Sequence, residues 1–452
     1  MGLNNFLNKT KLPFLVSFEV MLLIRTIGIY SLIPSKFDSL VFSLLSLWGL
    51  IYILNQLYTS IKNKKFDQFN PFLLIFLAMI LLSTLVHYQV YLVANMKLIF
   101  WQAIYLLVIY QIGKEYDRKT LRLLERILLV FWAVLVVIAL GMFFTQYSHT
   151  EPLDKIYNGL RVGFYENRLY GLFADPNFAA TISVVSMILS VKLLVQKLAK
   201  KWIILVSINI ALQWIYIVLS GSRTAYVELL VVIFVGIFFS AYRKFAHKSL
   251  IIQIIYALIS GLVSVLLAYV ITKLIEKGML SILEFLREIR VKDVPNVSLE
   301  RPDVENKSDI SNNRFGLWQS SIDIFKTSIW FGTSPRNLVS YAQEILPNTL
   351  IAIKEQTSHN FFFYVLATTG LAGIIPLMAF LVSQVFSTLK ALFSNKKMVS
   401  DNYLLYDTLI VLTIFVSALF LTELILVNKI GTFLFWLYLG VIYGQTKKNI
   451  QN

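Results

Sequence analysis

Twelve apolar runs, each close to the length of a bilayer span, constrain this chain more than any other feature. They lie at about 14–33, 39–60, 71–87, 91–113, 123–145, 176–195, 202–220, 224–242, 250–272, 359–389, 403–426 and 429–445. Lipid offers the backbone no hydrogen-bonding partner, so a run of ~20 apolar residues crosses a membrane as a helix. Of the 452 residues 57% are hydrophobic and 15% charged, where a soluble domain carries ~25% charged residues. The chain therefore reads as an all-α integral membrane protein with about twelve transmembrane helices. A soluble enzyme, a disordered chain and a small disulfide scaffold are excluded. The sequence has no cysteine and four scattered histidines, so no metal site is legible and no cofactor is expected.

The net charge of +16 would suit a polyanion partner if it formed one patch. Instead it follows the loops. With the N-terminus inside, cytoplasmic segments hold 20 Lys and Arg, among them Lys62, Lys64, Lys65, Arg118, Lys119 and Arg122. Outside the one long loop, the opposite segments hold only Lys36, Lys155, Arg161, Arg168, Arg223 and Lys429. Positive residues stay on the cytoplasmic side, so both termini are expected there, and nucleic acid is not expected as a partner.

Three regions follow. Residues 1–272 carry the first nine spans, with an extracytoplasmic loop at 146–175; 273–358 form a large extracytoplasmic loop with short helices; 359–452 carry the last three spans. The large loop holds 11 basic and 11 acidic residues, and loops of this length are usually functional or disordered. Within it, 279–290 is amphipathic and predicts a helix lying on the membrane surface. The stretch 293–313 is polar and unpatterned, and reads as a mobile lid or linker. Helical spacing of Phe315, Trp318, Ile322, Phe325 and Ile329 resumes at 314–329.

Ionisable residues inside spans point to function by default. Glu19, Arg25, Lys97, Glu228 and Glu423 are such residues. All but Glu19 fall in the outer half of their spans, with His87 at an outer end. A transporter places its polar site near the midplane; a shared outer depth suits chemistry on a lipid head group.

Four motifs lie on that same side. Arg168-Leu-Tyr-Gly-Leu-Phe-Ala-Asp175-Pro-Asn177 enters the sixth span; Asp175 and Pro176 read as its cap and first helical residue, leaving Arg168 unexplained. Ser220-Gly-Ser222-Arg223-Thr sits between two apolar runs, where a guanidinium beside a helix start makes a phosphate site. Arg314-Phe-Gly-Leu-Trp318 marks the return of order after the polar stretch, with Trp318 at head-group level. Last, His359-Asn360 opens the tenth span ahead of Gly370 and Gly373, and a boundary histidine can act as base, acid or orienter.

In order and spacing these motifs resemble those of the O-antigen polymerase and ligase superfamily, bacterial envelope glycosyltransferases: SGSR-T after a span, R-x-x-x-W in a large outer loop, then H-N opening the next span. Trp330-Phe-Gly-Thr-Ser-Pro-Arg336 stands where the family carries a more compact glycine-rich segment. The resemblance implies a metal-independent transferase in the cytoplasmic membrane, its active site facing the extracytoplasmic side. It implies a polyprenyl-pyrophosphate-linked oligosaccharide as donor and as acceptor, with membrane lipids, a chain-length regulator and a flippase as partners. Carried over residue by residue, Arg223 and Arg314 would bind the pyrophosphate and His359 would act on the acceptor hydroxyl. Arg168, Arg161, Ser222, Asn360, Trp318 and Glu228 would contact substrate. The expected activity is polymerisation of repeat units into a surface polysaccharide. A ligase that attaches the glycan to lipid A core or protein, and a polytopic transporter or flippase, are the alternatives.

Overall fold

The computed structural model describes residues 3–115, 117–153, 159–196, 198–290, 299, 311–394 and 403–451. Lys155, Lys197, Lys396 and Lys397, and most of the polar stretch 293–313, lie outside the described residues.

Each apolar run contains a helix, although the runs 14–33 and 403–426 leave theirs at Ile24 and Ala418. In chain order the helices are α1 (Leu3–Ile24), α2 (Ser35–Asn63), α3 (Pro71–Val86), α4 (Leu92–Lys114), α5 (Arg118–Phe144), α6 (Pro176–Leu194), α7 (Lys200–Leu219), α8 (Arg223–Lys244) and α9 (Leu250–Arg290). Then come α10 (Arg314–Thr327), α11 (Leu338–Ile345) and α12 (Leu350–Lys354), followed by α13 (Phe361–Phe393), α14 (Tyr403–Ala418) and α15 (Ile430–Gln451). Eight of the described helices are long and apolar enough to cross a membrane, and the chain is an all-α integral membrane protein. Leucines such as Leu44, Leu54, Leu262 and Leu266 stand exposed on the helix flanks, as lipid contact requires.

The connections at one end of the bundle form a continuous platform. Between α5 and α6 lies an antiparallel sheet of β1 (Ser148–Glu151), β2 (Leu160–Tyr165) and β3 (Arg168–Gly171). The segment after α1 joins it: Gly28 donates to Leu172 O at 2.7 Å and Ala174 to Thr26 O at 2.9 Å.

Three features depart from the sequence reading. The amphipathic stretch 279–290 is not a separate surface helix: α9 runs unbroken from Leu250 to Arg290, about 60 Å at 1.5 Å per residue. Only Gly278 interrupts the pattern there, and the Lys273–Glu276 pair at 2.7 Å supports the turn. The run 403–426 stops being helical at Ala418. Residues 419–429 are irregular, and side chains satisfy their backbone: Asn360 donates to Leu419 O, Thr432 to Glu423 O and Trp436 to Leu424 O. Non-helical backbone at this depth persists only where protein or a cavity covers it.

The third departure is a break in α13. Gly370 has φ 60° and ψ −164°, and the loop segment 329–334 inserts at the break. Leu371 and Ala372 donate to Ile329 O and Trp330 O, and Thr333 and Ser334 donate to Ala367 O and Thr368 O. The two backbones are so close that a Cβ on Gly332 would lie 2.4 Å from Thr368 C, and one on Gly370 2.4 Å from Trp330 C. Both residues also have positive φ, so glycine is required twice over. His87 Nε2 bonds Gly332 O at 2.7 Å and Thr84 bonds Ser334, fixing the insert to α3.

At the other end of the bundle, Lys192 Nζ contacts Glu125 Oε1 and Asp407 Oδ1, both at 2.6 Å and all three buried. Tyr438 donates to Glu125 and Gln445 to Asp407. The triad joins α5, α6 and α14, with α15 closing it. All three residues fall inside apolar runs, at 123–145, 176–195 and 403–426, yet the sequence reading does not single them out as intramembrane charges.

Candidate functional site

Arg168, Arg223, Arg314 and His359 come from four separate connections, and the fold brings them to one cavity of about 270 Å³. Asp175, Asn177, Asn312 and Gln356 complete much of its polar wall. Each cation is held by local structure. Arg168 is the first residue of β3 and is buried, with Nε donating to Ser220 O at 2.9 Å and Nη2 to Asn177 Oδ1 at 2.7 Å. It thus ties the C-terminal carbonyls of α7 to the start of α6, the electrostatically favoured place for a cation.

Arg223 is the first residue of α8. Ser222 caps that helix, its Oγ accepting from Ala225 N–H at 3.2 Å. Arg314 opens α10 after two left-handed residues, Asn312 and Asn313, and lies 5.6 Å from the Phe420 ring centre. A guanidinium at a helix start opposes the dipole, which makes both positions suited to an anion between them.

His359 stands one residue ahead of the α13 cap, also left-handed with φ 46°. Its ring makes no hydrogen bond to another described residue, so its nitrogens are available to the cavity. Burial, and next the charge of Arg314, push its pKa below the ordinary histidine value; Lys429 adds to this and Asp175 opposes it. The ring is therefore neutral at pH 7.

The other expected substrate contacts are placed differently. Arg161 does not line the cavity: Glu166 and the Tyr170 hydroxyl hold its guanidinium at 2.9 and 3.0 Å, and the Tyr170 ring centre lies 5.8 Å from it and 5.9 Å from the Arg168 guanidinium. Asn360 is the α13 cap, accepting from Phe362 and Phe363 N–H and donating to Leu419 O, so its amide is spent on structure. Trp318 stacks on Phe363 with ring centres 5.4 Å apart. Ser222 is buried as a cap.

Glu228 lies one helical turn below Thr224, fully buried and accepting from Thr181 Oγ1 at 3.0 Å. Thr181 leads through Ser417 to Glu423, and Glu423 reaches Lys429 at 3.7 Å. Glu228 thus underlies the cavity rather than lining it. Asp175 is the residue the sequence undervalued. It caps α6 through Asn177 N–H at 2.8 Å and lines the cavity as well. A cap motif carries no signal of that second role. Among the described residues, no group of three or more His, Asp or Glu is placed to hold a metal ion.

The chain is thus a helical membrane protein in which three guanidiniums and one imidazole surround a single polar cavity, an arrangement suited to an anion. Residues 208–378 match the family model described as O-antigen ligase, a match that supports the likeness to the O-antigen polymerase and ligase superfamily. The matched segment contains Arg223, Arg314 and His359, with Arg168 upstream of it. No curated protein matches the chain. It is therefore an enzyme of O-antigen ligase or polymerase type, glycosyltransferase-like, in a family that acts on lipid-linked glycans.

Proposed function

We propose that the chain is a polysaccharide polymerase of the bacterial cytoplasmic membrane, acting at its extracytoplasmic face. It moves a growing glycan from polyprenyl pyrophosphate onto the non-reducing end of a new lipid-linked repeat unit. The observation that carries this reading is the convergence of Arg168, Arg223, Arg314 and His359 on one cavity.

In the reaction, the bond between the donor's anomeric carbon and the pyrophosphate oxygen breaks, and a bond from the acceptor hydroxyl oxygen to that carbon forms. Negative charge grows on the leaving pyrophosphate, and Arg223 and Arg314 stabilise it; planar guanidiniums suit phosphate oxygens without requiring a metal ion. The acceptor hydroxyl is a weak nucleophile at neutral pH. The neutral ring of His359 takes its proton as the new bond forms, assistance typically worth ~10²–10⁴ in rate. Polyprenyl pyrophosphate leaves, and the elongated chain remains on the acceptor's lipid.

The profile of lipid-linked glycans in cells lacking the protein tests this reading. A polymerase deletion accumulates single lipid-linked repeats and loses the ladder of repeat numbers. Accumulation of long, unattached lipid-linked chains would instead identify a ligase.

A further inference from the structure

Two more cavities continue from the arginine–histidine cavity along the same end of the bundle. The first, of about 500 Å³, shares Asp175 with it and is walled by Arg25, Asp38, Asn428 and Lys429. The second, of about 940 Å³, shares Arg25, Asp38 and Asn428 with the first and ends at Lys97 and Arg336. Through these shared lining residues the three cavities adjoin one another in series, from His359 to the gap between α2 and α4.

The far end of that series is cationic. Arg25 is already neutralised by Asp38, with Nε–Oδ1 at 2.8 Å and Nη2–Oδ2 at 2.5 Å. Lys97 and Arg336 form no ion pair with any described residue. Lys97 lies five residues into a spanning helix, where an ammonium is costly without a counter-ion. Arg336 lines the same cavity, its backbone tied to the same helix: the Arg336 backbone N–H donates to Asn95 Oδ1 at 2.9 Å, and Asn95 Nδ2 donates to Asn337 Oδ1 at 2.9 Å. Across the gap, Ser39, Ser43 and Ser46 line the cavity from one face of α2. Outside it, Leu40, Leu44 and Val93 are exposed for lipid. The cavity therefore offers two cations and hydroxyls to a head group whose tail lies in the bilayer.

We propose that the Lys97–Arg336 cavity is a second site for a lipid-borne phosphoryl group and holds the pyrophosphate of the acceptor. The acceptor's polyprenyl chain leaves between α2 and α4, and its glycan runs past Lys429 and Asp175 to His359. This rests on the polymerase reading, in which both substrates carry a lipid pyrophosphate. The acceptor reacts at its non-reducing end, so its pyrophosphate must sit a repeat unit away from the chemistry. The intermediate cavity supplies that separation, which an ordinary phospholipid head group would leave unused.

The test is the binding stoichiometry of sugar-free polyprenyl pyrophosphate to the full chain in detergent, read by native mass spectrometry. The natural chain is expected to hold two molecules. Lys97→Gln with Arg336→Gln should hold one, and Arg223→Gln with Arg314→Gln should hold the other one. In turnover with a preformed lipid-linked chain as donor, the Lys97/Arg336 variant should raise the KM for a single lipid-linked repeat about tenfold. Lys97→Gln alone, at an exposed position, should change both readouts in the same direction and covers misfolding of the double variant. Two molecules on the Lys97/Arg336 variants would overturn the proposal and leave the polymerase reading standing. Displacement of the second molecule by an equal concentration of phosphatidylglycerol would also overturn it, by making the cavity a general lipid head-group site. If only the Arg223/Arg314 variant keeps two, the donor assignment fails while the second site stands.

Discussion

His359 holds a left-handed backbone that costs a non-glycine residue about 1–3 kcal/mol, and the surrounding structure maintains it: Ser321 bonds Ser358 at 2.7 Å and Asn360 caps the next helix. Its depressed pKa fixes the expected pH dependence. The acid limb of turnover is expected below the ordinary histidine value of ~6.5, because the neutral ring is favoured to lower pH. Arg314 is the second cause of the depression. The residual turnover of Arg314→Gln should therefore show an acid limb moved to higher pH, and an unmoved limb would separate the two residues. Arg223→Lys and Arg314→Lys keep the charge but lose the planar fork. Each should reduce polymer formation by at least an order of magnitude at normal protein level, measured as repeat-number ladders; full activity would make that arginine an interface anchor. The sequence marks these residues because ions at the edges of apolar runs need a reason. It marks Arg161 on the same ground and Asn360 through its place beside His359, and nothing in their spacing reveals that Glu166, Tyr170 and a helix start already occupy them.

At the scale of elements, the helices are legible because lipid imposes both length and apolarity, leaving twelve runs that each contain a helix. Their ends are less so. Whether α9 stops at the membrane surface or continues to Arg290 depends on local helix propensity, and the continuous helix keeps its hydrogen bonds through Gly278. The break at Gly370 and the irregular segment after Ala418 depend on partners more than 30 residues away or on side-chain donors, neither of which periodicity contains. The Lys192–Glu125–Asp407 triad belongs to the same class, since its members meet only when three helices pack. Lys192→Met would leave two buried carboxylates facing each other. Removing one partner of a buried pair costs about 3–5 kcal/mol, so thermal melting in detergent should show marked destabilisation. The Lys192→Arg variant should lose less.

For the molecule as a whole, orientation rests on the asymmetry of basic residues. A reporter fused after residue 300 should be extracytoplasmic and one after residue 398 cytoplasmic; the reverse result would put the arginine–histidine cavity on the wrong side for an exported substrate. The insertion of residues 329–334 into the break of α13 bears on how such enzymes can be recombined. The loop contributes Arg314 and Arg336, whereas the helix supplies the carbonyls and the glycine that receive the insert. A chimera that exchanged the large loop alone would set a foreign backbone against Gly370 with no tolerance for a misplaced Cβ. Specificity is therefore transplantable only as one cassette running from the start of α10 through the first turns beyond Gly370, with α3 retained or exchanged to match.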